Sequence, residues 1–238
     1  MQSLILVGGK GSRMGSTTKS KPKSLVPING KPLLEKQLNI LKKFRFENIY
    51  LITGYLSSAF DYLNIPSIFN NEWANTNMVN GLMKADKLLS NDTTIVSYGD
   101  IFYEENILNS LYNCKYDFCL AYDINWESLW RKRFINPLVD AETFKISNDG
   151  FITEIGATPK DCESIQGQYM GIFKITPDAW KKLKYIYHEL SIDKQNTISM
   201  TEIISIYIDK NSNQVFGVPN YDNWGEIDTN DDLKLYER

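Results

Sequence analysis

The chain has 238 residues, of which 42% are hydrophobic and 23% charged, with a formal net charge of −3. No sustained basic stripe of the kind found in nucleic-acid-binding domains is present, and no apolar stretch reaches the roughly 18 residues that a membrane-spanning helix needs. The three cysteines form no CxxC pair and no Cys/His metal spacing, which argues against a zinc site or a disulfide framework. We therefore expect a cytoplasmic protein without a signal peptide, which binds neither nucleic acid nor a membrane.

Strands and helices alternate over the first half of the chain. Short apolar runs bounded by turn residues predict strands, and apolar residues at helical spacing predict helices. The predicted strands cover residues 3–7, 48–53, 67–69 and 93–100, and the predicted helices begin at Pro32 or cover residues 58–63 and 77–89. This alternation is typical of an α/β fold with a doubly wound, mostly parallel sheet flanked by helices.

The second half is expected to complete the same Rossmann-like sheet. Strands are predicted over residues 116–124, 168–175 and 214–219, a hairpin around the turn at 147–150, and helices over 177–190, 200–210 and 229–238. Thr229 or Asn230 would cap the last helix. The segment 125–144 mixes aromatic, charged and proline residues without a clear period, so we treat it as an insertion.

The loop between the first strand and the first helix is rich in glycine and cations. Its glycines at 8, 9 and 11 allow backbone conformations in which several N–H groups point at one anion. Lysine or arginine follows at positions 10, 13, 19, 21 and 23. These features predict a phosphate-binding loop, and a flexible basic surface loop is the structural alternative.

Two common phosphate-binding motifs do not fit this loop. The dinucleotide fingerprint needs a third glycine where Met14 stands, and the P-loop needs Ser or Thr after its lysine, whereas Gly11 follows Lys10. Thr53 and Gly54 stand at the end of the second strand, where a dinucleotide-binding oxidoreductase would carry an acid. The sequence therefore disfavours that class of enzyme.

The opening text resembles the signature of the nucleotidyltransferases that activate sugar phosphates and choline phosphate. The chain reads LVGGKGSRM at 6–14 and KPKSLVPINGKPL at 21–33, against the usual LAAGxGSRM, PKxL and GKPL. Val7 and Gly8 replace two alanines. YGD at 98–100, GIFKI at 171–175 and WGEIDTNDDL at 224–233 extend the resemblance. It implies a fold of the nucleotide-diphospho-sugar transferase type over residues 1–238, with a nucleotide-binding half at 1–115 and an acceptor-binding half at 116–238.

The resemblance also implies a role for each residue of these motifs. Arg13 and Lys23 would be catalytic, with Lys23 against the α-phosphate, and Asp100 and Asp228 would hold Mg²⁺, as one ion or two. The implied nucleotide-binding residues are Leu6, Val7, Gly8, Gly9, Gly11, Ser12, Asn77, Tyr98 and Gly99. The implied reaction is attack by a phosphate oxygen of the acceptor on the α-phosphorus of a nucleoside triphosphate, with pyrophosphate as the leaving group. The attacking phosphate is already ionised, so alignment and charge neutralisation are the main requirements.

The asparagines of segment 69–85 favour CTP as the nucleotide. Asn75, Asn77 and Asn80 can donate to and accept from a base edge, and the segment resembles the choline-phosphate branch more than the hexose-phosphate branch. Asn75 or Thr76 could instead cap the helix that follows.

The acceptor is expected to contact aromatic and charged residues, which could alternatively only pack the insertion. The candidates are Trp73, Tyr122, Trp126, Trp130, Arg131, Arg133, Asp140 and Glu142. Aromatic rings can hold the quaternary ammonium of a phosphocholine-like acceptor. Segment 125–144 also resembles cytidylyltransferases of surface-polysaccharide modification, including capsule phosphoramidate synthesis, which implies L-glutamine phosphate. Asp140 or Glu142 would then pair with its ammonium, and Arg131 or Arg133 with its carboxylate.

Three other functions stay open at the level of the sequence. One is a sugar-1-phosphate uridylyl- or thymidylyltransferase, which a nucleotide panel would separate. Another is a catalytically silent nucleotide-binding regulatory subunit, although Arg13, Lys23, Asp100 and Asp228 are all present. The third is a MobA-like guanylyltransferase for a molybdenum cofactor, which shares the opening signature but not the WGEID text. The sequence does not predict the oligomeric state.

Overall fold

The computed structural model describes residues 1–237. Its strands are β1 (Gln2–Leu6), β2 (Pro27–Ile28), β3 (Lys31–Pro32), β4 (Ile49–Thr53), β5 (Ser67–Phe69), β6 (Thr94–Tyr98), β7 (Ile101–Tyr103), β8 (Phe118–Asp123), β9 (Phe144–Ile146), β10 (Ile152–Ile155), β11 (Gln168–Ile175), β12 (Val215–Asn220) and β13 (Trp224–Glu226). Its α-helices are α1 (Leu33–Leu41), α2 (Met78–Lys84), α3 (Asp86–Leu89), α4 (Glu105–Asn113), α5 (Trp126–Arg133), α6 (Pro177–Glu189), α7 (Ile192–Thr197), α8 (Met200–Lys210) and α9 (Asn230–Tyr236). Short 3₁₀ segments cover Ser12–Thr18, Lys23–Leu25, Ser57–Leu63 and Pro137–Val139.

The central sheet has seven strands in the order β12-β8-β11-β6-β1-β4-β5. Every neighbouring pair is parallel except the two that β11 makes with β6 and β8. Successive residues of the inner strands, such as Leu4 and Ile5 or Ile95 and Val96, are both buried. Burial on both faces is what a parallel sheet covered by helices requires. The predicted mixed, mostly parallel α/β sheet is therefore confirmed.

The parallel pairing of β1 with β6 positions two motifs side by side. Leu6 stands opposite Tyr98 at the ends of these strands, so the loops that follow leave the same edge of the sheet. The Gly99 N–H donates to the Leu6 carbonyl at 2.9 Å. A Cβ at Gly99 would lie 2.6 Å from Val7 Cγ1, so the close approach of the two chains requires glycine there.

A small antiparallel pair brings the WGEID text to the same edge. β13 pairs with β7, with Glu226 opposite Ile101, and the Ile227 N–H donates to the Asp100 carbonyl at 3.0 Å. The chain then enters α9, where the Thr229 and Asp232 side chains form a capping box. Asp228 is thereby fixed between a strand end and a helix cap.

Several local predictions differ from the structure. The helix expected over 77–89 breaks at Ala85 into α2 and α3, and α1 begins at Leu33, with Pro32 as its N-cap. The segment 58–63 forms a 3₁₀ helix instead of an α-helix. Helices α4, α5 and α7 were not predicted; α5 and α7 are short and mostly polar, whereas the buried stripe of Ile107, Leu108 and Leu111 could have identified α4. Within residues 1–237, no helix combines the length and hydropathy that crossing a bilayer demands.

Candidate active site

Two contacts fix the glycine-rich loop, one at Gly11 and one at Met14. Gly11 has a φ of 65°, and a Cβ there would lie 2.9 Å from Lys23 Cβ, so this position requires glycine for two reasons. The next turn buries Met14 in a small apolar cluster with Val26, Ile28, Leu33 and Ile227. Met14 therefore ties the loop to the WGEID segment, which explains a large apolar residue where the dinucleotide fingerprint has glycine.

Lys23 joins the two predicted metal ligands. Its side chain is 11% exposed, and Nζ lies 2.7 Å from Asp100 Oδ2 and 2.6 Å from Asp228 Oδ1. Burial by itself would lower the pKa of Lys23, but the two carboxylates outweigh it and raise the pKa above its ordinary value. The structure thus brings together three residues from distant parts of the chain and keeps the lysine charged.

Asp228 is the most heavily paired carboxylate of the site. Its Oδ1 also accepts from Arg13 at 2.6 Å, and its Oδ2 from Arg133 at 3.3 Å. Burial would raise the pKa of Asp228, but Lys23 and the two arginines bring it below the usual range. Asp228 is consequently an anion at neutral pH.

A third carboxylate, Glu226, was missed by the sequence reasoning. Asp100, Glu226 and Asp228 each offer an oxygen, and these oxygens all lie within 4.8 Å of one another. The pKa of Glu226 is raised to about 8, first by burial and then by repulsion from Asp228 and Asp100. The signal that could have found it is the alternation in WGEID, which places residues 226 and 228 on one side of an extended segment.

The donor set of this carboxylate cluster fits Mg²⁺, which prefers oxygen ligands and binds through carboxylates together with substrate phosphates. Asp100 Oδ1 is buried and lacks a hydrogen-bond partner among the described residues. A buried carboxylate oxygen without a partner is what a site for a cation presents. Asp100, Glu226 and Asp228 are therefore the residues that would hold the ion.

The expectation that Arg133 and Arg131 contact an acceptor is not supported by their placement. The Arg133 side chain is fully buried, with Nε 2.8 Å from Asp232 Oδ1 and its terminal nitrogens 3.3 Å from Glu226 and Asp228. Arg131 is exposed and pairs with Glu127 one turn earlier on α5. Arg133 thus holds the carboxylate cluster from behind, and Arg131 belongs to the surface.

Most of the predicted nucleotide-binding residues line one cavity of about 300 Å³. Its wall includes Leu6, Val7, Gly8, Gly9, Gly11, Ser12, Arg13, Lys23, Asn77, Tyr98 and Asp100. Gly99 is not part of this wall and instead supports it through its contact with Val7. Trp73, predicted to contact the acceptor, lines this first cavity and packs against Tyr55.

A second cavity of about 240 Å³ adjoins the first, sharing Arg13, Asn77, Met78 and Tyr98 with it. Its own wall includes Trp130, Asp140, Glu142, Gln168, Tyr169, Met170, Gly171, Ser199, Met200, Thr201, Trp224, Glu226 and Asp228. The carboxylate cluster therefore lies at the junction of the two cavities.

Two aromatic residues predicted for the acceptor pocket lie elsewhere. Tyr122 is 8% exposed and packs on Phe144 with ring centroids 5.0 Å apart. Trp126 is 4% exposed, and its Nε1–H donates to the Ile165 carbonyl at 3.2 Å. Both are packing residues, the alternative that the sequence left open.

The comparison with protein families identifies the chain. The family of MobA-like NTP transferase domains matches residues 3–138. The chain belongs to this family. It is a nucleotidyltransferase, as the opening signature indicated.

Individual relatives extend the similarity to the whole chain. The chain is 32% identical over 251 aligned residues to the CTP:phosphoglutamine cytidylyltransferase of Campylobacter jejuni, covering 99% of this chain and 98% of the relative. It is 36% identical over 99 residues to the choline-phosphate cytidylyltransferase of Streptococcus pneumoniae, covering 40% of this chain and 43% of that one. A solved structure of CTP:phosphocholine cytidylyltransferase from Streptococcus pneumoniae has a TM-score of 0.77 at 20% identity, over 99% of this chain and 97% of that chain. This last similarity is evidence for the shared fold.

Proposed function

We propose that this enzyme transfers the cytidylyl group of CTP to a small phosphorylated acceptor, giving a CDP-acceptor and pyrophosphate, with Mg²⁺ as its cofactor. The observation that carries the proposal is the position of Lys23, Asp100 and Asp228 at the junction of the two cavities. The first cavity has the glycine-rich loop suited to a triphosphate. The second leaves room for an acceptor beside it.

The acceptor we favour is L-glutamine phosphate, with a phosphocholine-like compound as the next candidate. The relative that matches nearly the full chain acts on phosphoglutamine, as its name states. Asp140 and Glu142 line the second cavity, where they could face an ammonium group. By the same analogy, the product would serve a surface-polysaccharide modification such as capsule phosphoramidate, made from CTP in the cytoplasm.

In the reaction, an oxygen of the acceptor phosphate forms a bond to the α-phosphorus of CTP, and the bond from that phosphorus to the oxygen bridging to the β-phosphate breaks. The electron pair of the broken bond leaves with pyrophosphate. Two of the three N–H groups of Lys23 contact Asp100 and Asp228, so one is free to donate to an α-phosphate oxygen. Arg13 contacts Asp228 through one terminal nitrogen and is 62% exposed, which leaves donors for the leaving phosphates.

Mg²⁺ would neutralise the negative charge that two phosphate groups bring to one place. The protein supports this by holding Asp228 ionised and by fixing Glu226 and Asp228 through the buried Arg133. Positioning of this kind supplies much of the rate enhancement in phosphoryl transfer.

The proposal is tested by measuring pyrophosphate release with CTP, UTP, dTTP, ATP or GTP, each with Mg²⁺ and one of three acceptors: L-glutamine phosphate, phosphocholine or a sugar 1-phosphate. We expect release with CTP and a CDP-linked product of the corresponding mass. Release only with a sugar 1-phosphate and UTP or dTTP would favour a sugar nucleotidyltransferase. Absence of release with every pair, from protein that binds CTP, would favour a silent nucleotide-binding subunit.

A further inference from the structure

The second cavity contains a carboxylate whose surroundings provide no cation. Glu142 Oε1 accepts from Thr201 Oγ1 at 3.1 Å, and among the described residues Glu142 makes no ion pair. Its neighbour Asp140 accepts from Trp130 Nε1 at 3.1 Å and lies within the electrostatic reach of Arg133. Glu142 is therefore the less compensated of the two acidic groups.

The position of Glu142 is fixed from two directions. The Glu142 N–H donates to Gln168 Oε1 at 3.0 Å, and Gln168 Nε2 donates back to the Glu142 carbonyl. Gln168 is 4% exposed, so this paired contact with the main chain is shielded from water. Together with the Thr201 hydroxyl, it holds one carboxylate in a defined orientation, as a recognition group requires.

The rest of the cavity wall suits a cationic organic group. Three aromatic residues, Trp130, Tyr169 and Trp224, are part of it. An ammonium beside carboxylates and aromatic rings gains both charge-assisted hydrogen bonds and cation–π attraction.

The cationic side chains Arg13 and Lys23 pair with Asp100 and Asp228, not with Glu142. Among the described residues that line the second cavity, Arg13 is the cationic one, and it pairs with Asp228. Glu142 and Asp228 have no hydrogen-bond partner in common. An acceptor phosphate would therefore be drawn to Arg13 and Lys23, and a positive group of the same acceptor to Glu142.

From these observations we infer that Glu142, held by Gln168 and Thr201, is the residue that selects acceptors carrying an ammonium group. The inference rests on the proposed function and names the feature that the enzyme reads in its acceptor. It excludes sugar phosphates without an amino group as good acceptors, since these lack a cationic nitrogen. It also assigns less weight to the carboxylate of an amino-acid acceptor, because Arg131 and Arg133 are engaged elsewhere. The phosphoglutamine and choline phosphate named for the relatives both carry a positive nitrogen, in agreement with this assignment.

The test compares three acceptors with the full chain, CTP and Mg²⁺. They are L-glutamine phosphate, its analogue without the amino group and its analogue without the carboxylate. We expect loss of the amino group to lower kcat/KM by about 10- to 100-fold, as for a lost hydrogen bond to a charged group, and loss of the carboxylate to have a smaller effect. Equal use of the first two compounds would overturn the inference while leaving the proposed function intact.

A variant then assigns the selectivity to one residue. In Glu142→Gln, the amide oxygen can still accept from Thr201, so the fold of the wall is retained while the charge is lost. We expect the preference for the amino group to shrink to within about threefold, with the KM for CTP unchanged. Glu163→Gln, at an exposed carboxylate in the same half, is the matched control and should keep the wild-type preference. An unchanged preference in Glu142→Gln would overturn the assignment. If no acceptor supports pyrophosphate release from the wild-type protein, the proposed function itself fails.

Discussion

The two cavities meet at the same carboxylates but are built in different ways. The first cavity takes its cations and most of its glycines from one loop, with glycines where the backbone must turn or approach closely, and side chains such as Trp73, Met78 and Tyr98 complete its wall. The second cavity is formed by side chains from many elements of the chain. Buried hydrogen bonds and ion pairs hold these side chains in place. The difference indicates that the nucleotide side tolerates side-chain changes outside its glycines and cations, whereas the acceptor side depends on a few buried polar contacts.

The largest expected effect is on stability and comes from substituting Arg133, whose buried side chain supports the second cavity. Arg133→Met would leave the buried Asp232 without its cation and would remove one of the cations that act on Asp228 and Glu226, so we expect a loss of about 3–5 kcal/mol in the free energy of unfolding. Arg131→Met removes an exposed pair and should cost less than about 1 kcal/mol. Urea denaturation of both variants measures the contrast. Wild-type stability in Arg133→Met, combined with a raised KM for the acceptor, would restore Arg133 to a binding role.

Substitution of Lys23 tests whether catalysis takes place at the junction of the two cavities. We expect Lys23→Ala to lower kcat by about 10²–10³, because one preorganised charge near the α-phosphate is lost. Lys21→Ala, which removes an exposed cation of the same loop, should change kcat by less than about threefold. Steady-state pyrophosphate release gives both values. Similar rates for the two variants would contradict the role of Lys23.

Glu226 tests the carboxylate cluster that the sequence reasoning left incomplete. In Glu226→Gln, we expect the Mg²⁺ concentration for half-maximal activity to rise by about 10- to 100-fold, the range for loss of a group that supports a metal site. Glu104→Gln, at an exposed carboxylate next to β7, serves as the control. An unchanged Mg²⁺ dependence in Glu226→Gln would remove Glu226 from the cluster's function.

The smallest expected effect concerns stability at the second cavity. Burial, followed by repulsion from Asp140, raises the pKa of Glu142. The folded state therefore binds this proton more tightly than the unfolded state, and stability falls as pH rises through the interval between the two pKa values. We expect Glu142→Gln to gain stability relative to wild type as pH rises from about pH 5 to about pH 8 in thermal denaturation without substrates. A relative loss over that range would contradict the account of Glu142, and Glu163→Gln should show neither trend.

Much of the fold and the first cavity could be predicted from sequence because their determinants are local. The strand and helix periods are continuous, and the glycines and cations of residues 8–23 lie within one loop. Asp100 and Asp228 were found through short motifs at strand ends.

The second cavity could be predicted only in part: Trp130, Asp140 and Glu142 line it as expected, but its other determinants are tertiary. Gln168 and Tyr169 lie in a strand that reads as core, and Thr201 lies at the start of a helix that reads as amphipathic. Arg133 stands in a charged segment typical of a surface, and only the packing of α5 against α9 shows that its side chain is buried. Tyr122 and Trp126 failed as cavity residues for the same reason, since aromatic composition does not distinguish a pocket from a packed core.

The most direct test of the central claim is a crystal structure grown with CTP and Mn²⁺, with the metal located by its anomalous scattering. The account predicts an anomalous peak about 2.1 Å from oxygens of Asp100 and Asp228, as for a Mg²⁺-type site, with the triphosphate along Gly8 to Arg13 and its α-phosphate beside Lys23. A peak away from these carboxylates, or a triphosphate bound outside the glycine-rich loop, would contradict it.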